Sequence, residues 1–351
     1  MTHITRRARG PVLLGALAAL TFAFQPAEAP AQTVEGPDVF WKLSTWGNPR
    51  AFTEGIEFVA QKVEEATGGK FRIQIFYGEQ LSSAAENLDG LKVNAFEAAM
   101  FCNFYHPGKT PASMVITLPF LPLGDFDVAA RVRHGLYEHP VFVEEMAQWN
   151  AIYYGSAHLP QYEFMGRGEP PVTLDGWQGM RVRAGGGLGM AMETLGAVRQ
   201  SMPATEVYTA VQRGVVDAAS FPYTYSHAAY RIDEVASWFT SNMAPGTTDC
   251  PIVFNKTSYE ALPAQYQELL WSLRDEMTEV YKAGYAAADA EFLPRFRERL
   301  VEVVYDDATL DELRAMAAQP VWAAWVEENK DKFDSQGLLD RLFELAEGGD
   351  S

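Results

Sequence analysis

The chain has 351 residues, of which 48% are hydrophobic and 21% charged, and its 46 acidic against 28 basic side chains give a net charge of −18. This length is sufficient for two domains with separate cores, and the negative charge argues against nucleic acid or an anionic membrane surface as a partner. Only Cys102 and Cys250 occur as cysteines, and one disulfide or two buried free thiols are both compatible with the pattern.

Residues 1–31 have the pattern of a signal peptide. Arg6, Arg7 and Arg9 precede the apolar run "PVLLGALAALTFAF", and the small residues "APA" come directly before Gln32. This pattern predicts export, by the general or the twin-arginine route, with cleavage near Ala31. The apolar run is too short for a membrane span, so we expect a soluble protein of the periplasm.

The next segment alternates between helix and strand patterns. Phe52, Ile56, Val59 and Val63 share one helical face, and the glycine pair at 68–69 predicts the end of that helix. Directly afterwards, "FRIQIF" alternates apolar and polar residues, which indicates a strand.

A second helix and strand follow. Ser83 with Glu86 has the spacing of a capping box and predicts a helix that continues to about Lys92. The segment "FEAAMF" at 96–101 predicts the next short strand. Strands that alternate with helices in this way predict an α/β domain with a largely parallel sheet.

A second α/β block begins after the turn-rich segment "PPVTLDGWQG". "MRVR" at 180–183 predicts a strand, and residues 188–195 predict a helix that ends at Gly196. Thr205 is the expected cap of a further helix through Gln212, with Gly214 at its end. "VVDAAS" at 215–220 predicts the strand after it.

The pattern of the last hundred residues is helical. Residues 262–299 and 307–345 have amphipathic periodicity with few turn signals. We therefore predict two α/β lobes, with the chain crossing between them near 155–165 and 245–255. Lobe I should comprise 34–158, completed by about 248–285; lobe II should comprise 159–247; and helices at 286–345 should pack across both lobes. The cleft between two lobes is the expected place for a ligand.

The glycine-rich stretch "AGGGLG" at 184–189 resembles a phosphate-binding loop only superficially. Its spacing matches neither a dinucleotide fingerprint nor a P-loop, and no lysine follows. The chain also lacks the patterns of a nucleophile elbow, a zinc protease helix or a paired-cysteine redox motif. The sequence therefore predicts no enzyme, no cofactor and no metal.

Arg183 is the most informative charged residue. It ends an apolar strand at the entry to a glycine turn, which is the sheet edge where α/β proteins bind ligands. The planar guanidinium matches a carboxylate in a bidentate pair. Aromatic residues at loop and strand ends, of which Trp46, Phe101, Tyr105 and Phe221 are examples, are able to stack on a flat ligand or to form local core.

Four separate motifs together resemble the solute-binding proteins of tripartite ATP-independent periplasmic (TRAP) transporters, the C4-dicarboxylate-binding family. They are, in chain order, "GEQLSS", "LPFLPL", "GMRVR" and "MPATEVYTAVQRGVVDAASFPY". The resemblance implies an α/β, two-lobed periplasmic solute-binding protein of type II-like architecture, with hinge-crossing strands and long C-terminal helices. It also implies that the protein captures an organic acid and delivers it to TRAP membrane subunits.

The resemblance implies roles for two residues. The family's carboxylate-binding arginine falls on Arg183. Its helix glutamate falls on Glu206, which we include among the candidate ligand-binding residues, although a role in supporting the site or the hinge is more in keeping with its place in the motif.

Three departures from the family pattern bear on the ligand. Phe221 stands where many members have asparagine, Tyr162 stands near the place of a second arginine in sialate-type members, and Ala204 replaces a phenylalanine. Because buried polar groups need partners, a cleft with one arginine and aromatic walls fits an aromatic or otherwise apolar monocarboxylate. The predicted ligand-binding residues are Arg183, Trp46, Phe101, Tyr105, Tyr162, Phe221 and Glu206.

Several alternatives stay open at this point. The ligand of a family-typical member would be a C4-dicarboxylate or a 2-oxo acid, bound through backbone amides and water. A periplasmic enzyme on the same fold would need an activated nucleophile or a metal, and a sensor-only binding protein would serve a receptor. We expect a monomer whose partners are a small organic acid and the TRAP membrane subunits.

Overall fold

The computed structural model describes residues 33–348, so the predicted signal peptide lies outside the described residues. The strands in this part of the chain are β1 (Val39–Ser44), β2 (Phe71–Phe76), β3 (Ala98–Met100), β4 (Ala151–Ser156), β5 (Tyr162–Gly166), β6 (Arg181–Arg183), β7 (Val198–Gln200), β8 (Ala218–Pro222), β9 (Trp238–Thr240), β10 (Pro251–Asn255) and β11 (Val301–Val303). The α-helices are α1 (Ala51–Ala66), α2 (Asn87–Lys92), α3 (Phe126–Tyr137), α4 (Pro140–Ala147), α5 (Gly186–Thr194), α6 (Ala204–Gln212), α7 (Tyr225–Ala229), α8 (Lys256–Glu260), α9 (Ala264–Ser272), α10 (Arg274–Arg299), α11 (Asp307–Asn329) and α12 (Ser335–Glu347).

Lobe I is built on a five-stranded sheet with the order β2-β1-β3-β10-β4. The predicted helix and strand at its start are confirmed as α1 and β2. Phe52, Ile56, Val59 and Val63 are all buried, because residues three or four apart on a helix share one face. Both glycines at 68–69 have positive φ, which lets the chain turn directly into β2.

The predicted start of α2 is wrong. The helix begins at Asn87, and Glu86 rather than Ser83 occupies the N-cap position. The Ser83 hydroxyl bonds the Glu86 carboxylate at 2.8 Å instead of a backbone N–H. The Ser–Glu pair therefore stabilises a turn before the helix, and the capping-box spacing alone does not distinguish the two uses.

Lobe II is built on a six-stranded sheet with the order β11-β9-β5-β8-β6-β7. The predicted strands at 180–183 and 215–220 are confirmed as β6 and β8. The expected cap of α6 is wrong by two residues, because Pro203 takes the N-cap position and Thr205 lies inside the first turn. Proline suits this position because a helix start needs no N–H donor there.

The prediction of a largely parallel sheet in the first α/β domain is also wrong, because that sheet is mixed, as is the sheet of lobe II. In lobe I, β1 pairs in parallel with β2 and β3, but β10 is antiparallel to β3 and β4. In lobe II, β6 is parallel to β7 and β8, but β5 is antiparallel to β8 and β9. The antiparallel strands β5 and β10 each follow a short crossing segment directly, whereas β11, which reaches the second sheet after α8, α9 and α10, is parallel to β9. A strand that arrives from the other lobe need not run in the direction of a βαβ unit.

The chain passes from the first sheet to the second over residues 157–161 and returns over 241–250. The predicted continuous helices in the tail are each divided in two, into α9 and α10 and into α11 and α12. The tail also contributes β11, which no sequence pattern predicted, to the lobe II sheet beside β9. The predicted lobe boundaries stay a prediction. No helix among residues 33–348 is both long and apolar enough to cross a bilayer.

Cys102 and Cys250 form a disulfide, which decides between the two options that the sequence left open. Backbone hydrogen bonds flank it, from Phe101 N–H to Pro251 O and from Asn103 N–H to Asp249 O. The bond therefore joins the end of β3 to the start of β10, beside the crossing segment. A cross-link between residues 148 apart stabilises the fold mainly because it restricts the unfolded chain.

Candidate functional site

Strand β6 places Arg183 at the interface of the two lobes. β6 lies between β7 and β8, where Arg183 is opposite Gln200 and Ala219. The strand ends at Arg183 and the chain turns into α5, so the side chain lies at the carboxyl edge of three parallel strands. Ligands bind at this edge in open α/β sheets.

The guanidinium of Arg183 is buried and bonds only neutral acceptors. Its side chain is 1% exposed. Nη1 donates to Ser220 O at 2.8 Å, and both Nε and Nη2 donate to Met202 O at 3.2 Å. Within residues 33–348, no carboxylate oxygen lies within 4.0 Å of it. A buried cation without an anionic partner is costly, and a carboxylate would supply the missing charge.

Aromatic rings enclose the same guanidinium. Its Cζ atom lies 4.7 Å from the ring centroid of Phe221 and 5.2 Å from that of Phe104. Both distances are in the range of cation–π contacts. Phe221 in turn stacks on Tyr230, with centroids 5.4 Å apart and planes 15° apart. Arg183 is therefore held between apolar faces that would also exclude water from an ion pair.

The cavity beside Arg183 has a volume of about 20 Å³, which is room for about one water molecule. Both lobes and the crossing segment contribute to it. Its lining consists of Trp46, Arg50, Phe52, Cys102, Phe104, Tyr105, Leu159, Tyr162, Arg183, Ala204, Phe221, Pro222, Tyr225, Ser226, Tyr230 and Cys250. An aromatic acid is larger than this volume, so its entry requires the walls to move apart.

Five of the seven predicted ligand-binding residues come together here: Trp46, Tyr105, Tyr162, Arg183 and Phe221. The other two lie elsewhere. Phe101 is fully buried in the core of lobe I, where its ring contacts His106. Glu206 is exposed in the first turn of α6.

Tyr105 connects the two lobes across the cavity. It belongs to a short 3₁₀ turn at Asn103–Tyr105 in lobe I. Its hydroxyl oxygen accepts the backbone N–H of Ala204 at 2.9 Å and a longer contact from Arg183 Nη2 at 3.4 Å. Both donors belong to lobe II, so this hydroxyl forms a polar contact between the lobes.

The glycines after β6 allow a close approach of lobe I rather than a bound phosphate. A Cβ atom on Gly187 would lie 2.5 Å from Thr117 O, and one on Gly185 would lie 2.2 Å from the Phe104 ring. The N–H of Gly187 donates to Thr117 Oγ1 at 3.1 Å, so this helix-start amide is used within the chain. These glycines therefore form the turn beside Arg183 and let lobe I pack closely against it.

Arg50 is a cavity residue that the sequence analysis missed. It directly precedes α1 and lies four residues after Trp46. Nη1 donates to Trp46 O at 3.0 Å and to Asn48 O at 2.7 Å. A basic residue four positions after a loop aromatic already assigned to the site is the sequence signal that would have suggested it. The cavity therefore has two arginines, not one.

Glu163 lies next to Tyr162 on β5 and is fully buried behind the cavity wall. Oε1 accepts the N–H of Ala244 at 2.8 Å, and Oε2 accepts the hydroxyl of Thr240 at 2.5 Å. Burial raises the pKa of Glu163 to about 7, against the lowering effect of these hydrogen bonds. The carboxyl group thus changes its protonation near neutral pH beside the crossing segment.

The unfolding free energy of the wild type relative to Glu163→Gln is expected to fall by ~1–3 kcal/mol between pH 5 and pH 8. The folded pKa of about 7 exceeds the ordinary value of 4.5, so the folded state binds the proton more tightly. This stabilisation is complete below the unfolded pKa and is lost as the pH rises through 7. Guanidinium denaturation at four pH values measures the difference, and Glu206→Gln is the exposed control. If the free energy of unfolding depends on pH in the same way for the wild type and Glu163→Gln, this carboxyl does not titrate between pH 5 and pH 8.

Comparisons with known proteins show which family the sequence matches. The model of the family described as "Bacterial extracellular solute-binding protein, family 7" matches residues 44–329. A monocarboxylate 2-oxoacid-binding periplasmic protein of Nostoc sp. is 26% identical over 277 residues, which cover 74% of this chain and 71% of the relative.

Solved structures share the fold. A TRAP solute-binding protein from Rhodoferax ferrireducens, in complex with copurified benzoate, matches with a TM-score of 0.79 and 19% identity, covering 89% of this chain and 98% of that one. Another from Chromohalobacter salexigens, with bound D-glucuronate, matches with a TM-score of 0.76 and 19% identity, covering 87% and 99%. Proteins of this architecture therefore hold acids of quite different shape.

Proposed function

The chain belongs to family 7 of the bacterial extracellular solute-binding proteins and is a TRAP solute-binding protein, and from this premise we propose that Arg183 holds the carboxylate of its organic acid. The observation that carries the proposal is the buried guanidinium with neutral protein partners only. A carboxylate bound there would complete a charge-assisted pair in a water-poor site. The protein would capture the acid in the periplasm, to which the signal-peptide pattern would direct it, and deliver it to TRAP membrane subunits.

The acid that we propose is aromatic or otherwise apolar beyond its carboxylate. Trp46, Tyr162 and Phe221 are nearly fully buried in the cavity wall, and aromatic walls favour flat apolar ligands through stacking. The Rhodoferax neighbour with benzoate supports this class. The glucuronate neighbour and the 2-oxoacid-binding relative keep a more polar acid as the competing candidate.

Closure of the lobes is part of the proposed mechanism. The cavity is smaller than an aromatic acid, so the acid would enter when the lobes are apart. The Tyr105 hydroxyl, which contacts lobe II at Ala204 and Arg183, would then help to close the site around the ligand. Such hinge closure is a common response of two-lobed binding proteins.

We propose a binding role without catalysis, for a protein that acts as a monomer. The matched relatives named for a function are solute-binding proteins. Incubation with the bound acid is expected to return it unchanged.

A thermal-shift screen of the ligand-stripped chain tests the class of acid. The panels are aromatic acids (benzoate and hydroxycinnamates), C4-dicarboxylates and 2-oxo acids. Ligand at a hundred times its dissociation constant stabilises by about 2.7 kcal/mol, which raises the midpoint by a few degrees for a chain of this size. Shifts with aromatic acids alone would support the proposal. Shifts with dicarboxylates or 2-oxo acids alone would show that polar partners and water outweigh the aromatic walls.

A further inference from the structure

Arg50 forms a second cationic group on the wall of the Arg183 cavity, contributed by lobe I. Its Nε atom is buried and has no hydrogen-bond partner among the described residues. Its Nη1 atom bonds two backbone carbonyls, those of Trp46 and Asn48, and no carboxylate in residues 33–348 pairs with it. The guanidinium rests on Phe52, with Cζ 4.5 Å from the ring centroid. It therefore has a fixed position and an unused donor.

Tyr230 brings a second unused polar group to the same place from lobe II. Arg50 Cζ lies 5.5 Å from the centroid of the Tyr230 ring. The Tyr230 hydroxyl is buried and, like Arg50 Nε, has no partner in the part of the chain that is described. Burial raises the pKa of Tyr230 to about 12, against the lowering effect of Arg50, so the hydroxyl keeps its proton and is able to donate it in a hydrogen bond.

A stacked aromatic pair connects this place to Arg183. The Arg183 guanidinium contacts Phe221, Phe221 stacks on Tyr230, and Tyr230 contacts Arg50. All four side chains line the one cavity. The cavity thus presents Arg183 at one end of a Phe221–Tyr230 stack, and Arg50 with the Tyr230 hydroxyl at the other end.

We propose that the ligand carries a second oxygen acceptor, remote from its carboxylate, which accepts hydrogen bonds from Arg50 Nε and the Tyr230 hydroxyl. The substrate class is then an aromatic acid with a hydroxyl or a second carboxylate on its ring, rather than an unsubstituted one. This inference rests on the proposed function, because it assumes that Arg183 holds the first carboxylate. Its physical basis is that a buried donor without an acceptor is unfavourable, and an acceptor on the ligand satisfies two such donors together.

Arg50 also starts α1, and it does so through its main chain. The Arg50 N–H donates to Thr53 Oγ1 at 3.1 Å, and the Arg50 carbonyl accepts the Thr53 N–H at 2.7 Å. These bonds start α1 for any residue other than proline at position 50. Substitution of the side chain is therefore expected to preserve the helix. Arg50→Met also loses the Nη1 bonds to Trp46 O and Asn48 O, so Tyr230→Phe, which leaves those bonds in place, is the more specific variant for the contact with the ligand.

Isothermal titration of the ligand-stripped chain tests the inference with benzoate, 3-hydroxybenzoate, 4-hydroxybenzoate and terephthalate. The wild type is expected to bind at least one substituted acid about tenfold more tightly than benzoate. That ratio is expected to fall to within about threefold in Arg50→Met, which keeps the apolar stem, and to fall in part in Tyr230→Phe, which removes only the hydroxyl. A better response to terephthalate than to the hydroxybenzoates would identify the second acceptor as anionic.

Arg274→Met is the matched control. Arg274 Nε is likewise buried without a hydrogen-bond partner, and its Cζ lies 4.7 Å from the Trp271 ring centroid, but it does not line this cavity. Its ligand preference should equal that of the wild type.

The outcomes separate the two proposals. Equal affinity of the wild type for benzoate and every substituted acid, or a preference that survives in both cavity variants, overturns the second acceptor and leaves the Arg183 carboxylate site standing. Failure of every aromatic acid to bind overturns the second acceptor and the proposed aromatic class of ligand together, and Arg183→Ala with the acid found in the thermal-shift screen then tests the carboxylate site separately. If Arg50→Met does not fold, Tyr230→Phe is sufficient for the test. This variant should fold, because loss of one hydroxyl leaves the ring stacked on Phe221.

Discussion

Arg183→Ala is expected to weaken binding of the organic acid by at least about a hundredfold. The bound carboxylate would lie in a closed cavity of aromatic walls without its cationic partner, and breaking a buried ion pair on one side costs about 3–5 kcal/mol. A cost of 1.4 kcal/mol corresponds to a factor of ten in affinity. Arg183→Lys should give an intermediate loss, because an ammonium keeps the charge but not the planar fork. Titration calorimetry with the best acid from the screen measures both.

Arg181→Ala is the matched control for this variant. Arg181 lies two residues earlier on β6, but its side chain is 45% exposed and pairs with Asp217, with Nη2 2.6 Å from Oδ1. Because water screens such an exposed pair, its loss should change stability little, and ligand affinity should stay at the wild-type level. An Arg183→Ala protein with affinity within threefold of the wild type would remove Arg183 from the binding site.

Asp249→Ala is expected to lower the free energy of unfolding by about 3–5 kcal/mol. Asp249 lies in the segment that returns to lobe I and is 1% exposed. Its Oδ1 atom is 3.3 Å from Nε of the fully buried Arg133 and accepts the Ser156 hydroxyl at 2.6 Å. The Tyr137 hydroxyl donates to Oδ2 at 2.5 Å. Removal of the carboxylate leaves the Arg133 charge in the protein interior without its counter-ion.

Guanidinium denaturation measures this loss, and Asp127→Ala provides the control. Asp127 forms an exposed pair with Lys282 at 2.6 Å, which should contribute little to stability because water screens it. The double variant Arg133→Met/Asp249→Leu should recover part of the lost stability, since two well-packed apolar side chains can replace a buried ion pair. If Asp249→Ala unfolds at the same denaturant concentration as Asp127→Ala, the buried pair contributes far less than its burial indicates.

The site shows where sequence reasoning worked and where it did not. Arg183 was predicted correctly as a residue at the end of β6, because strand ends and glycine turns are local patterns. Phe101 and Tyr105 were both predicted from the aromatic segment at 101–105. Phe101 does not line the cavity, whereas its neighbour Cys102 does. Successive residues of an extended chain face opposite sides, so Phe101 faces the core. Ala204 at the start of α6 lines the cavity, and Glu206, two residues on, has turned to solvent.

Arg50 is an example of a site residue whose contacts the local sequence does not predict. Nothing in its local sequence places it opposite Tyr230, because the two residues are 180 positions apart and meet only when lobe I and lobe II pack together. The same holds for the Tyr105 hydroxyl on Ala204. Contacts between lobes depend on how the crossing segments orient two separate sheets, and hydrophobic periodicity carries no information on that orientation.

The sequence by itself determined the elements whose signals are short-range: the apolar face of α1, the alternation of β2, the strand that ends at Arg183 and the family motifs around it. These depend on interactions between residues a few positions apart, which the order of side chains specifies directly. Only the tertiary structure decided the mixed direction of both sheets, the addition of β11, the Cys102–Cys250 bond and the meeting of two arginines in one cavity. Each of these joins segments far apart in the chain, where the free energy of closing a long loop and the packing of whole elements select the partner.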